Sequence, residues 1–328
     1  MKKQPRGPNL KMRVLFAGSP AIAVPSLEAL YGLEGIELAG VLTTPDSSRG
    51  RRGVLLPTAV SVAAQRILKR GRGVFPILKP YKLDPTFREL AGVLKPDLLV
   101  SFAYGRIFGP KFLALFPLGG INIHPSLLPK YRGPSPVQAA ILNRDSVTGI
   151  TIQKIAEKMD TGDILAAGQF QLTGGETALS LSETMSKKAA LMLTGVLKKI
   201  ASGDVQGTAQ NHSEASYCPL ITKEDGVIDW SRSALEIEAK IRAFDPWPLC
   251  RTMHNGRELI ILKADVYNGA CGNGADGLVL GIDKQCGILV QTGEGILAVT
   301  KLQYQAKKAL YWRDFLNGAR DFTGAKLG

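Results

Sequence analysis

The chain has 328 residues and a mass of 35.2 kDa, long enough for two domains of ordinary size. At 45% hydrophobic and 21% charged it can bury a sizeable core, which excludes a disordered protein, and no apolar run approaches a membrane-spanning length. Lys and Arg total 41 against 28 Asp and Glu, a formal charge of +13, so a polyanionic partner is admissible though not required.

Met1 to Lys11 carry Lys2, Lys3, Pro5, Arg6 and Pro8 with no apolar core behind them, and read as a basic tail, not an export signal. Arg13 to Ala17 is a buried-strand run ending at Gly18-Ser-Pro20, and a helix follows over Pro25 to Tyr31. Ile36 to Leu42 is the next strand, and Pro57 to Lys69 has helical spacing. Asp84-Pro85 predicts an N-cap and first helical position for a helix toward Leu94. Asp97 to Ser101 and Gly120 to His124 are further strands. Strands apolar throughout and alternating with helices predict an α/β fold, an open and mostly parallel sheet with helices on both faces. Ligands bind such sheets beyond the carboxyl ends of the strands, where Gly18-Ser-Pro20, Ser101 to Gly105 and His124-Pro-Ser126 fall.

Two strand-like runs, Gly149 to Ile155 and Asp163 to Leu172, flank a loop with Met159-Asp-Thr-Gly-Asp163, and a long helix runs from about Thr177 to Ile200. The break at Gly203 to Gly207 predicts a boundary, giving a first domain over 12–203 and a second over 207–328. In the second, Val227 to Trp230 reads as a strand and Ser233-x-x-Glu236 as a capping box for a helix to Phe244. From Leu259 onward, strand runs between Gly and Asn turns suggest a smaller β-barrel or sandwich, with a short helix near Leu310 to Leu316.

The charge is unevenly placed. Residues 1–205 hold 27 Lys/Arg and 14 Asp/Glu, residues 206–328 hold 14 of each, and residues 1–80 hold 13 and 4. The densest clusters are Arg49-Gly-Arg51-Arg52 and Lys69-Arg70-Gly-Arg72. A clustered excess points to an anionic partner better than a dispersed one.

Several familiar chemistries drop out. The string Gly272-x-Gly274-x-x-Gly277 sits in an Asn/Gly-rich turn with no helix after it, so it reads as a hairpin loop and not a dinucleotide site. No phosphate-binding loop or nucleophile elbow is present, and three His do not suit a metal cluster. Cys218, Cys250, Cys271 and Cys286 lie far apart without a C-x-x-C pair, which disfavours zinc and a disulfide framework and suits a reducing cytoplasm.

What remains lies in residues 120–163. Asn122 and His124 alternate with Ile121 and Ile123, so both polar side chains face one way at the end of a buried strand. Pro125 to Pro129 leaves that strand as a rigid turn, and Lys130-Tyr-Arg-Gly133 adds two cations to its rim. Asp160 and Asp163 can each reach back to the imidazole, and spacing does not choose between them. An amide, an imidazole and a carboxylate without a placed Ser or Cys nucleophile suit direct acyl transfer to an amine. The amide would hold the developing oxyanion, and the imidazole would move the proton.

The run Gly120-Ile-Asn-Ile-His-Pro-Ser-Leu-Leu-Pro-Lys-Tyr-Arg-Gly133, with Thr148-Gly-Ile-Thr-Ile and Met159-Asp-Thr-Gly-Asp-Ile164, resembles the folate-dependent formyltransferases. The likeness extends through Val14 to Pro20, Val24 to Leu30, Lys223 to Trp230, Ile241 to Pro248 and Asp314 to Gly318, which resemble the branch acting on methionyl-tRNA. The resemblance implies a Rossmann-like sheet and an OB-like second domain that assists tRNA binding; a cytoplasmic monomer without a metal is expected. The implied reaction moves a formyl group from the co-substrate 10-formyltetrahydrofolate to the amine of methionyl-tRNA. It also implies Asn122, His124 and, of the two carboxylates, Asp160 as catalytic residues. Folate contacts are implied at Ser126, Leu127, Leu128 and Pro129, and at Phe102, Tyr104, Gly105 and Ile107. In that branch a Gly-Arg-Gly-Lys-Lys loop meets the acceptor end of the tRNA; here it runs Gly50-Arg51-Arg52-Gly53-Val54, with Arg49, Arg51 and Arg52 as the implied contacts. Two alternatives keep the chemistry and change the acceptor to a nucleotide sugar or water, and a third is a catalytically silent folate- or RNA-binding protein.

Overall fold

A computed structural model describes residues 11–49, 54–71, 74–269, 274–319 and 321–328, and the chain divides into two compact units. The first comprises 1–136, 147–170 and 182–218; the second comprises 137–146, 171–181 and 219–328.

The first unit begins with β1 (Met12–Gly18), α1 (Val24–Tyr31) and β2 (Ile36–Leu42). A short antiparallel hairpin follows, β3 (Ser47–Arg49) and β4 (Val54–Leu56), then α2 (Ala59–Lys69) and the two-residue β5 (Ile77–Leu78). Next in chain order come α3 (Pro85–Val93), β6 (Leu98–Phe102), α4 (Pro110–Leu113), β7 (Gly120–His124), α5 (Pro136–Leu142), β8 (Val147–Lys154), β9 (Ile164–Gln171) and α6 (Ala178–Ser202), of which α5 after Pro136 and the first turn of α6 fall in the second unit. Asp84 caps α3 by accepting from the Phe87 amide at 2.9 Å, with Pro85 opening the helix, as the sequence predicts.

The sheet order is β5-β2-β1-β6-β7-β8-β9, parallel from β5 to β7 and antiparallel from β7 to β8. The expected α/β, mostly parallel sheet is therefore present. The chain reverses direction across the sheet at β1 and β6, so their carboxyl ends open the crevice where ligands bind in such folds. A Cβ on Gly18 would press against the Phe102 carbonyl oxygen at 2.9 Å, which is why β1 ends on glycine. Ser19 then ties three loops: its hydroxyl donates to the Tyr104 carbonyl at 3.2 Å and accepts from the Thr44 amide at 3.3 Å. Beneath them Tyr104, Phe108 and Phe112 stack with centroids 5.3 and 5.6 Å apart, fixing the segment after β6 on the core.

The second unit holds α7 (Ala234–Ala243), β10 (Cys250–His254), β11 (Arg257–Val266), β12 (Val279–Asp283), β13 (Gly287–Gln291), β14 (Ile296–Tyr304), β15 (Leu310–Tyr311) and α8 (Trp312–Asn317). Its sheet runs β10-β11-β14-β13-β12, antiparallel throughout, with β15 on β14. The last residues close it. Val279 donates to the Ala325 carbonyl and Leu327 to the Gly277 carbonyl, while Gly328 donates to Met253 of β10. The ring of hydrogen bonds thus returns to its first strand, as the expected β-barrel requires. The Ser233 capping box is present. Val227 to Trp230 is not a strand: Val227 makes one isolated bridge to Arg251, and Trp230 turns inward to donate to Thr252 at 2.9 Å. The turn string at Gly272 lies partly outside the described residues.

Candidate active site

Asn122 and His124 lie on one face of β7, opposite Gln153 and Thr151 of β8. His124 is buried, and its Nε2 lies 2.8 Å from the Tyr131 carbonyl oxygen. A carbonyl only accepts, so Nε2 carries the proton in the neutral ring and Nδ1 is left as the nitrogen able to take another. Burial lowers the His124 pKa, against the opposing pull of the Asp160 charge and the Tyr131 carbonyl. The imidazole therefore rests neutral near pH 7, ready to accept a proton.

Asp160 meets that open nitrogen. Its Oδ2 is 3.6 Å from His124 Nδ1 and accepts from the Gly133 amide at 2.9 Å. Its Oδ1 accepts from Gln153 Nε2 at 2.9 Å and, more loosely, from Asn122 Nδ2 at 3.4 Å. The residue sits at φ +55, a left-handed turn that Asp tolerates better than most side chains. Asp163 points elsewhere and pairs with Lys154 at 2.9 Å on the surface. Of the two carboxylates left open by spacing, Asp160 is the one beside the imidazole. Asn122 is part-exposed, and its amide has a second N–H to offer.

Arg132 is not a rim cation. Tyr131 takes φ +59 and Gly133 φ +116, and these two reversals swing the guanidinium inward, where Arg132 is 2% exposed. Lys130 alone of the pair is exposed, its ammonium 4.7 Å from the Tyr131 ring centroid.

The stretch expected to contact folate is a tight turn at the end of β7. Ser126 is buried and donates to the Lys130 carbonyl at 2.6 Å; Leu128 is buried and its amide donates to Thr151 at 3.1 Å; Leu127 and Pro129 are part-exposed. Phe102, the last residue of β6, and Tyr104 are buried, Gly105 is exposed at φ +83, and Ile107 is exposed. Phe102 lies beside Ile123 in register, so both segments leave the same end of the sheet. Of the residues expected to contact folate, the side chains of Phe102, Tyr104, Ser126 and Leu128 are thus buried, and Leu127, Pro129, Gly105 and Ile107 are the accessible ones. The Tyr104 hydroxyl is buried, and the Arg106 guanidinium acts on it. Arg51 and Arg52 lie outside the described residues, and of Arg49 only the backbone, in β3, is described. No group of three or more potential metal ligands occurs among the described residues.

Residues 11–197 match the family described as formyl transferase, and residues 220–320 match the formyl transferase C-terminal domain. The chain belongs to the formyl transferase family. A methionyl-tRNA formyltransferase from Treponema denticola is 50% identical over 317 residues, covering 95% of this chain and 98% of the relative. A solved N-formyltransferase from Helicobacter canadensis, in complex with folinic acid and dTDP-3-aminofucose, has TM-score 0.63 at 21% identity over 88% of this chain and 99% of its own. HypX from Aquifex aeolicus with tetrahydrofolic acid has TM-score 0.62 at 18% identity, covering 95% of this chain and 48% of that one. At these identities the two structures share the fold alone with this formyl transferase.

Three residues of the site are not placed by sequence reasoning. Gln153 carries a usable signal, because in Thr148 to Lys154 it alternates with apolar Ile150 and Ile152, which puts it with Thr151 on a face that must meet something polar. Arg132 reads from the sequence as a rim residue and lies inside. Gln210 sits in a polar stretch among Gln, Asn and Ser with no pattern to mark it.

Proposed function

We infer that the protein transfers a formyl group from 10-formyltetrahydrofolate to the α-amine of methionyl-tRNA, giving N-formylmethionyl-tRNA for translation initiation. The carrying observation is the meeting of Asn122, His124 and Asp160 at the carboxyl end of β7, in a chain half identical to a methionyl-tRNA formyltransferase along almost its full length.

In this reading the amine attacks the formyl carbon, forming a C–N bond and an oxyanion. An Asn122 N–H donates to that oxygen as it gains charge. The amine's proton passes to His124 Nδ1, and the resulting imidazolium is held by Asp160 at the same nitrogen. Collapse breaks the bond between the formyl carbon and N10 of the folate, and N10 takes up a proton. The turn at Ser126 to Pro129 and the segment from Phe102 to Ile107 would hold the folate. Arg49, Arg51 and Arg52 would hold the acceptor end of the tRNA, and the second domain would assist. Among the described residues no helix is long and apolar enough to cross a membrane. We read the enzyme as a monomer of the cytoplasm, where charged tRNA is found.

The deciding assay offers the purified protein 10-formyltetrahydrofolate and charged initiator tRNA. N-formylmethionine on the tRNA is expected. Its absence, or formylation of a dTDP-amino sugar in its place, overturns the reading.

A further inference from the structure

The segment between α6 and Cys218 enters the site itself. Thr208 pairs with Ile164 in both directions, and residues 216–218 pair with residues 129–132, so the stretch between them is pinned at both ends to the first unit. Gln210, buried, lies in that stretch. Its Nε2 lies 3.0 Å from the Asp160 carbonyl, 2.7 Å from the Gly162 carbonyl and 3.2 Å from Gln153 Oε1. Two carbonyls only accept, so the amide orientation is fixed with nitrogen toward the Asp160 loop. The other end agrees: Arg132, which only donates, reaches Gln210 Oε1 from Nη2 at 2.6 Å and from Nε at 3.2 Å.

Gln153 continues the chain. Its Oε1 accepts from Gln210 and from the Gly162 amide at 3.2 Å, so its Nε2 is turned to donate to Asp160 Oδ1 at 2.9 Å. Every bond from Arg132 to the carboxylate runs in one direction, with a buried cation at the head and the anion at the tail. Such chains polarise each successive bond and hold their members rigid. Gly162 is obligatory here, since a Cβ would collide with the Lys154 carbonyl.

We propose that Gln210 and Gln153 are positioning residues for formyl transfer: oriented by Arg132, they fix the loop that carries Asp160 and aim its carboxylate at His124. The proposal rests on the formyl-transfer reading above. Both glutamines are buried, with their amides committed to the bonds above. Their contribution is to placement of Asp160, and a displacement of about 1 Å can cost on the order of 100-fold in rate.

Gln210→Glu tests it, because the variant keeps the length and the acceptor toward Arg132 but turns an oxygen onto the two loop carbonyls. Gln153→Met removes the donor to Asp160 at nearly constant volume. In full-length protein, each is expected to lower kcat roughly 10- to 100-fold while KM for both substrates stays within about threefold. The double variant should lose little more than the worse single one, since both act through one chain of bonds. A wild type that makes no formylated tRNA defeats the functional reading. An active wild type with folded variants whose kcat lies within about twofold of it defeats this proposal, as does a rise in KM alone or a double loss equal to the product of the single ones. Should Gln210→Glu not fold, Gln153→Met decides by its kcat alone.

Discussion

At the residue scale, the proposed chemistry turns on which nitrogen of His124 carries a proton. With Nε2 committed to the Tyr131 carbonyl and Nδ1 beside Asp160, the proposed mechanism loses its proton acceptor when the ring is removed. His124→Ala is expected to reduce kcat at least about 100-fold, measured by single-turnover formylation with both substrates saturating. Asn122→Ala should lower kcat with little change in tRNA affinity, and equal damage to both would remove the oxyanion role. The pH dependence has a definite sign. Burial lowers the His124 pKa, so the folded protein takes up this proton at lower pH than the unfolded chain, whose His titrates near about 6.5. Stability contributed by the neutral ring is whole above that value and declines as pH falls toward the folded pKa. His254, also buried, shifts the same way and adds to the trend. The acid limb of kcat/KM should accordingly have its midpoint below about 6.5. A midpoint above it would mean that the Asp160 charge outweighs burial.

At the scale of elements, legibility in the sequence follows burial. Strands covered on both faces are largely apolar, so β1, β2 and β6 stand out against their loops, while β7 stands out by its alternation, and the sequence positions where those runs end coincide with the site. The β3–β4 hairpin lacks that signal, with Val54, Leu55 and Leu56 all exposed. β5 has two residues and α4 four, too few to express a period. Val227 to Trp230 misleads because its apolar residues serve an inward-turned tryptophan and not a ladder. In the site, the alternation of Asn122 and His124 is readable, and the choice of Asp160 comes with the family likeness. The inward turn of Arg132 is not readable, since it depends on two positive φ values that side-chain identity does not announce. Gly133 makes this testable. A Cβ there would strike the Cys218 carbonyl at φ +116, and the same residue's amide holds Asp160. Gly133→Ala should lose on the order of 1–3 kcal/mol of stability together with turnover, read by thermal melting and kcat. By contrast Asp84→Ala, which removes only the cap of α3, should cost about 1 kcal/mol and leave kcat unchanged.

At the scale of the whole molecule, charge and fold make separate contributions. The sheet sets where a formyl group can be transferred, but nothing in Asn122, His124 and Asp160 distinguishes a tRNA from a smaller amine. Selection of a nucleic acid has to come from outside that cluster, and residues 1–80 carry 13 Lys/Arg against 4 Asp/Glu. Each Lys or Arg that neutralises a phosphate releases a condensed cation, so log affinity falls linearly with log salt, by a little under one unit of slope per contact. The affinity for methionyl-tRNA should therefore drop steeply between about 50 and 200 mM salt, while the KM for 10-formyltetrahydrofolate moves far less. Arg51→Ala should reduce the magnitude of the slope by about one and weaken binding of every tRNA alike, with kcat at saturating tRNA preserved. Filter binding across a salt series measures this directly. A slope unchanged by the substitution would take Arg51 out of the interface, and a flat salt dependence in the parent protein would return the acceptor question to small amines.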